Sequence, residues 1–150
     1  MSGETMFSLT GNAFVLAWLA LFMGLVVSRG LRVRRALLIF GGRLVPIVLL
    51  LIFLLGVFLH REAEPRGNMF SYEGMLLMLS VPERLLNIWV EVLALALFAC
   101  RWMIDDAEHR GINRFAVAVC LLIAFISGGL GLLCYAALLV VWRTQKSPVC

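Results

Sequence analysis

Long apolar runs alternate along this chain with short clusters of arginine. A helix needs about 20 residues to cross the roughly 30 Å hydrocarbon core of a bilayer. Four runs approach or exceed that length, at residues 13–28, 36–59, 85–104 and 115–142. The pattern predicts an all-α fold, an integral membrane four-helix bundle, in which residues 1–150 form a single transmembrane domain.

The longest link, from His60 to Arg84, is only partly polar. Its second half reads MFSYEGMLLMLSVPE, with about a dozen apolar residues, which is too short a segment to cross a bilayer. We expect a short interfacial helix here, between helices two and three. Pro82 is expected to end it, because proline disfavours a helical conformation in the residue before it.

Composition excludes a soluble domain, since 63% of the residues are hydrophobic and only 15% are charged. Lipid suits such a surface, because helices satisfy their own backbone hydrogen bonds. The N-terminal residues carry no Lys or Arg and no cleavage site is evident, so the first run is expected to remain as an anchor.

The basic residues cluster on one side of the predicted bundle. The links after helices one and three, together with Arg43, hold eight of the thirteen Lys and Arg residues. By the positive-inside rule this side faces the cytoplasm, so both termini are predicted to be non-cytoplasmic. The net charge of +4 comes from basic residues that flank the predicted helices, where we expect them to contact lipid headgroups. No nucleic-acid partner is expected.

Glu91 is a candidate for chemistry, because ionisable groups in a membrane cost about 2.5–3.5 kcal/mol and so mark functional sites. Arg84, Asn87 and Glu91 share one helix face by their spacing. Either this face is a polar channel in which Glu91 transfers protons, or Glu91 pairs with Arg84 or Arg43 and holds helices together. Arg43 itself can snorkel to the headgroups, and Pro46 is expected to kink helix two nearby.

Helix four contains the segment ISGGLGLLCY, in which Gly128, Gly129 and Gly131 leave one turn almost without side chains. Small residues permit close contact with another helix. They would equally form a flat groove for a rigid polyene or a sterol. His60 and His109 are expected to be exposed, the cysteines to pack within helices, and no metal site is expected.

The sequence resembles the neoxanthin-synthase family of plants and its bacterial relatives, the abscisic-acid-deficient-four-like membrane proteins. The opening MFSLTGNAFVLAWLAL and the later MFSYEGMLLMLSVPERLL are similar to segments of the family. The remaining residues that carry the resemblance are Trp89-Val90, Leu93-Ala94, Leu97-Phe98, Arg101-Trp102, Asp105, Ala107, Arg110-Gly111-Ile112, Phe125, Gly128, Gly131-Leu132-Leu133 and Tyr135.

The resemblance implies four membrane helices, a bacterial inner or photosynthetic membrane, and work on xanthophylls. Plant members are associated with opening a carotenoid epoxide to an allene, which needs a proton donor and acceptor but no redox cofactor. The family has His and Asp in helix three where this chain has Glu91 and Ala96, and Gly-Pro in helix four where it has Gly128-Gly129. These departures weaken the inference that this chain has the family's enzymatic activity more than the inference that it has the family's fold.

Two hypotheses follow, and whether the chain is an enzyme stays open. We favour a non-catalytic structural or pigment-associated subunit of a larger membrane complex, in contact with carotenoid or another pigment and with other membrane subunits. The alternative is a carotenoid-modifying isomerase in which Glu91 is catalytic. The predicted ligand-binding residues are Asn87, Trp89, Gly128, Gly129, Gly131 and Tyr135, and the predicted polar structural residues are Arg43, Arg84, Arg101 and Asp105.

Overall fold

The computed structural model describes residues 3–28, 31–59, 68 and 70–146, with the backbone alone at 144–146. The regular structure in these ranges is helical throughout, which confirms the all-α prediction. The helices are α1 (Gly3–Val26), α2 (Arg32–Ile39), α3 (Val45–Leu59), α4 (Tyr72–Leu79), α5 (Pro82–Arg110), α6 (Arg114–Ile126) and α7 (Gly128–Lys146). A π-helical turn, Phe40–Leu44, joins α2 to α3 without a break.

Three helical segments are long and apolar enough to cross a membrane: Gly3–Val26, Arg32–Leu59 and Pro82–Arg110. Large apolar side chains cover their outer faces. Leu16 is 60% exposed, Leu51 59% and Leu95 54%. Exposure of this much apolar surface is unfavourable in water but not in contact with lipid acyl chains. These are therefore the features of a membrane protein.

The predicted fourth helix, 115–142, is corrected to two helices, α6 and α7, which meet at Ser127. Ser127 has an extended backbone, with φ −149° and ψ 109°. Hydrogen bonds continue on either side of the break, where the N–H of Ser127 donates to the carbonyl of Ile123 and the carbonyl of Ser127 accepts from the N–H of Gly131. Two glycines follow it, and glycine is a poor helix former. The predicted count of four helices is therefore not confirmed.

The other predicted helices are longer than expected at their ends. α1 begins at Gly3 rather than residue 13, and Thr10 is accommodated because its hydroxyl donates to the carbonyl of Met6 at 2.8 Å. α2 begins at Arg32 rather than residue 36. α5 extends from Pro82 to Arg110 rather than from 85 to 104, because its last turns pair charges four residues apart. Gly111 ends it in the left-handed conformation, φ 68°.

A short helix does lie between α3 and α5. α4 begins after Ser71, whose hydroxyl accepts from the N–H of Gly74 at 3.1 Å, and it packs on α5. Its placement at the membrane interface stays a prediction. Pro82 was expected to end this helix, and that prediction is wrong. It is instead the first residue of α5, where its missing N–H has no intrahelical partner to lose.

α5 is the central element of the fold, since it contacts α1, α3, α4, α6, α7 and the π turn. Its inner face carries Val90, Leu97 and Met103, all fully buried. The π turn is wedged between α1 and α5. A Cβ at Gly41 would collide with the backbone of Ala17, and one at Gly42 with the side-chain stem of Arg101. The glycines that interrupt the second apolar run thus allow close helix packing.

Candidate functional site

An apolar groove of about 620 Å³ lies between α1, α5 and the junction of α6 with α7. Its volume is within the range of small-molecule sites. Three predicted ligand-binding residues line it, namely Trp89, Gly128 and Gly129. The other lining residues are Gly11, Phe14, Val15, Val92, Leu93, Leu95, Ala96, Ala99, Ala124, Phe125, Ile126, Ser127 and Leu132.

The break at Ser127 opens this groove. A side chain at Gly129 would meet no atom within 4 Å, so this position faces open space. A Cβ at Gly128 would touch the Cβ of Ala96 at 3.4 Å, an ordinary contact. Small residues on both facing helices therefore keep the middle of the groove clear, and a flat ligand could approach the backbone of α7 there.

Three aromatic rings among the described residues line the groove, Phe14 from α1, Trp89 from α5 and Phe125 from α6. Phe14 stacks on Phe125 with centroids 5.9 Å apart, and Phe125 also contacts the ring of Trp18 at 4.7 Å. Trp89 stacks on Phe7 at 5.8 Å and keeps 41% of its surface exposed. These rings offer flat apolar faces, which suit an extended conjugated molecule.

No ionisable side chain is among the described residues that line the groove, and Ser127 supplies the single hydroxyl group there. Ala96 lines it at the position where the resembling family has aspartate. The groove can therefore hold an apolar ligand, but its lining offers no acid or base for proton transfer.

Asn87, Gly131 and Tyr135, which were predicted to bind ligand, lie away from the groove. Asn87 is buried, with its side-chain amide against Gly56 of α3. A Cβ at Gly131 would collide with Ala124, so this glycine serves the packing of α6 on α7. Tyr135 is fully buried beneath α5. The glycines thus differ in position, since Gly131 lies at the contact of α6 with α7 whereas Gly128 and Gly129 line the groove; ligand binding there stays a prediction.

Glu91 is partly buried on α5 and does not line the groove. It makes no ion pair or hydrogen bond with any described residue. Arg84 lies in the first turn of α5, whereas Arg43 lies beside Arg101, ten residues or about 15 Å along the helix from Glu91. A Glu91–Arg43 pair is therefore not formed. The predicted role of Glu91 in holding helices together has no ion-pair partner among the described residues.

Charged residues concentrate where α1, α2 and α5 meet. Arg101 pairs with Asp105 at 2.7 Å, so two predicted polar structural residues act together. Arg34, which was not singled out from the sequence, is buried; it donates to the carbonyl of Gly24 at 2.9 Å and pairs with Glu108. The i,i+4 spacing could have indicated the first pair, but no local pattern indicates the second.

Metal ligands do not gather in the described residues, since no group of three His, Cys, Asp or Glu side chains lies together there. Cys100 and Cys120 are buried and Cys134 is exposed on α7. His109 is exposed near the end of α5. His60 and Cys150 lie outside the described residues.

Comparison with known proteins identifies a family for this chain. Curated proteins and solved structures both return no match to this chain. The model of one protein family, described as ABA DEFICIENT 4-like, matches residues 5–135. That range takes in every described residue that lines the groove and most of the sequence, and the chain therefore belongs to the ABA DEFICIENT 4-like family.

Proposed function

We propose that this chain binds a carotenoid in its apolar groove and does not convert it chemically, as a subunit of a larger membrane complex. The observation that carries the proposal is the composition of the groove, whose described lining residues are apolar and aromatic and include no ionisable side chain. Membership of the ABA DEFICIENT 4-like family suggests carotenoid as the ligand class.

A carotenoid suits the groove on physical grounds. Its polyene is long, flat and apolar, so it gains dispersion contacts from stacked rings such as Phe14 and Phe125. Gly129 lets it lie against the backbone of α7. Ser127 can hydrogen-bond one ring hydroxyl of a xanthophyll, which would set the depth of the ligand in the groove.

The proposed lack of conversion rests on the absence of an acid and a base among the described residues that line the groove. Opening an epoxide to an allene needs one group that donates a proton and another that removes one, both within reach of the reacting carbons. Ala96 occupies a groove position at which an aspartate would have reached the ligand. A chain that keeps the binding surface and lacks the proton-transfer pair is better suited to hold a pigment within an assembly.

A second candidate is the carotenoid isomerase, and Glu91 favours it. A carboxylate on a membrane-spanning helix with no ion pair to any described residue is costly and therefore points to function. To act on a ligand in the groove, Glu91 would have to reach it from a neighbouring face of α5, because it does not line the groove.

The test is pigment retained by the purified chain after expression in carotenoid-producing cells. We expect Gly129→Leu to fold normally and to lose most of its pigment absorbance per protein, because the added side chain enters the groove. Gly3→Leu is the matched control, since Gly3 also has no atom within 4 Å but does not line the groove. Equal pigment in both variants and the wild type would refute the groove as the site. Copurification in mild detergent then asks whether the pigmented chain migrates within a larger complex.

A further inference from the structure

A second cavity, of about 830 Å³, lies where α2 and the π turn face the last turns of α5. Five arginines and one acid line it, along with apolar residues of α2 and the residue before it. The charged residues are Arg32, Arg34, Arg35, Arg43, Arg101 and Glu108. We call it the arginine cavity. So strong an excess of positive charge in one concave site favours an anionic occupant.

Two of these arginines have fixed partners that shape the cavity. Arg34 is held by Glu108 and by the carbonyl of Gly24, and Arg101 by Asp105. The other three, Arg32, Arg35 and Arg43, make no ion pair or hydrogen bond with any described residue. Their charges are therefore uncompensated within the described part of the chain, although they converge on one cavity.

Arg101 adds a second observation. Its Nε and Nη1 atoms are buried and have no hydrogen-bond partner among the described residues. Its stem packs on Gly42, so closely that a Cβ at that position would collide with it. Buried donors on a charged group are expensive to leave unpaired. These two atoms are closed off from the cavity, so Arg101 contributes its positive charge from behind the cavity wall. A phosphate group in the cavity would meet the guanidinium groups of Arg32, Arg35 and Arg43, whose planar geometry it fits best.

Apolar surface continues outward from the cavity. Leu31 and Ile39, which line it, are 54% and 44% exposed. Beyond them Leu44 and Leu51 on the same helical segment are 52% and 59% exposed. A molecule with a charged head in the cavity and an apolar tail would therefore find a matching surface along α2 and α3.

We infer that the arginine cavity binds the phosphate group of an anionic phospholipid, whose acyl chains lie along the exposed apolar side chains of α2 and α3. The cavity is at the end of the bundle that the distribution of basic residues predicts to be cytoplasmic, where headgroups are found. Basic pockets between membrane helices recognise such headgroups. The arginine cavity shares no described lining residue with the apolar groove, and this inference does not depend on the function proposed for the groove.

Lipid binding by the purified full chain in detergent, measured by native mass spectrometry, tests this inference. The probes are phosphatidylglycerol, phosphatidylcholine and inorganic phosphate. The test variant combines Arg35→Gln with Arg43→Gln, which keeps the Arg34–Glu108 and Arg101–Asp105 pairs intact. The control combines Arg84→Gln with Arg143→Gln, an equal loss of charge at residues that do not line the cavity.

We expect phosphatidylglycerol to bind the wild type more tightly than phosphatidylcholine, and the test variant to lose about tenfold in affinity while the control changes less than about twofold. Equal binding of the two lipids, or an equal loss in both variants, would show that the cavity is not a specific site. Displacement of the lipid by inorganic phosphate at the same concentration would contradict the lipid assignment and indicate a soluble anion. If the test variant fails to fold, Arg32→Gln is measured instead, and an unchanged affinity there counts against the inference.

Discussion

The hydroxyl of Tyr135 donates a 2.8 Å hydrogen bond to Oδ2 of Asp106, which joins the middle of α7 to the last turns of α5. The same carboxylate accepts from Nε of Arg110 at 2.7 Å. The ring of Tyr135 is fully buried and meets Trp102 edge-on, with centroids 5.6 Å apart. This link holds α7 in place beyond the break at Ser127, where the chain itself gives no helical continuity.

Tyr135→Phe should therefore destabilise the fold. The ring and its packing stay, while the hydrogen bond to a charged acceptor is lost, so we expect a loss of about 1 kcal/mol in the free energy of unfolding. Unfolding in mixed micelles, followed by tryptophan fluorescence, measures it. Tyr72→Phe is the control, because Tyr72 is 78% exposed. Equal stability of the two variants would show that the bond to Asp106 contributes nothing.

Glu91→Gln should leave both pigment content and stability unchanged. The residue does not line the groove and has no described partner to lose, and glutamine keeps the shape while removing the charge. Glu83→Gln, at the exposed start of the same helix, is the control. A lower stability would reveal a structural partner of Glu91. Conversion of a xanthophyll epoxide by the wild type that disappears in Glu91→Gln would instead establish the isomerase.

Gly131→Ala should lower stability, whereas Gly129→Ala should not. The new methyl group at position 131 would collide with Ala124, and overpacking of this kind costs about 1–3 kcal/mol. At position 129 it would meet no atom within 4 Å. Thermal unfolding in detergent compares the two variants directly. If both are equally stable, the α6–α7 contact is looser than the described packing of Gly131 on Ala124.

Cysteine labelling tests the predicted orientation. A cysteine introduced at Arg66 and the native Cys150 should react with a membrane-impermeant reagent added from outside, while one introduced at Arg32 should not. Arg32 is exposed and so reports on its side of the membrane, unlike the buried Arg34. Cys134→Ser removes the exposed native thiol from the background. Labelling at Arg32 alone would reverse the orientation.

Several features of the fold were readable from the sequence, because they depend on residues close together along the chain. Apolar runs predicted the positions of the helices, since each helix must cover its own backbone in lipid. The bounds were less accurate. The charged end of α5 read as a loop, although Arg101–Asp105 and Asp106–Arg110 pair within the helix. The break at Ser127 was not predicted, because glycines are also common inside membrane helices.

The two cavities were decided by the tertiary structure alone. Trp89 and Gly129 line one groove because α5 and α7 cross there, and no spacing along the chain encodes that crossing. The same holds for Arg34 and Glu108, which are 74 residues apart. The sequence by itself determined an all-α membrane protein of a recognisable family and most of its helices. The way those helices pack decided which glycines line the groove and which arginines converge on one cavity, because residues far apart along the chain meet there.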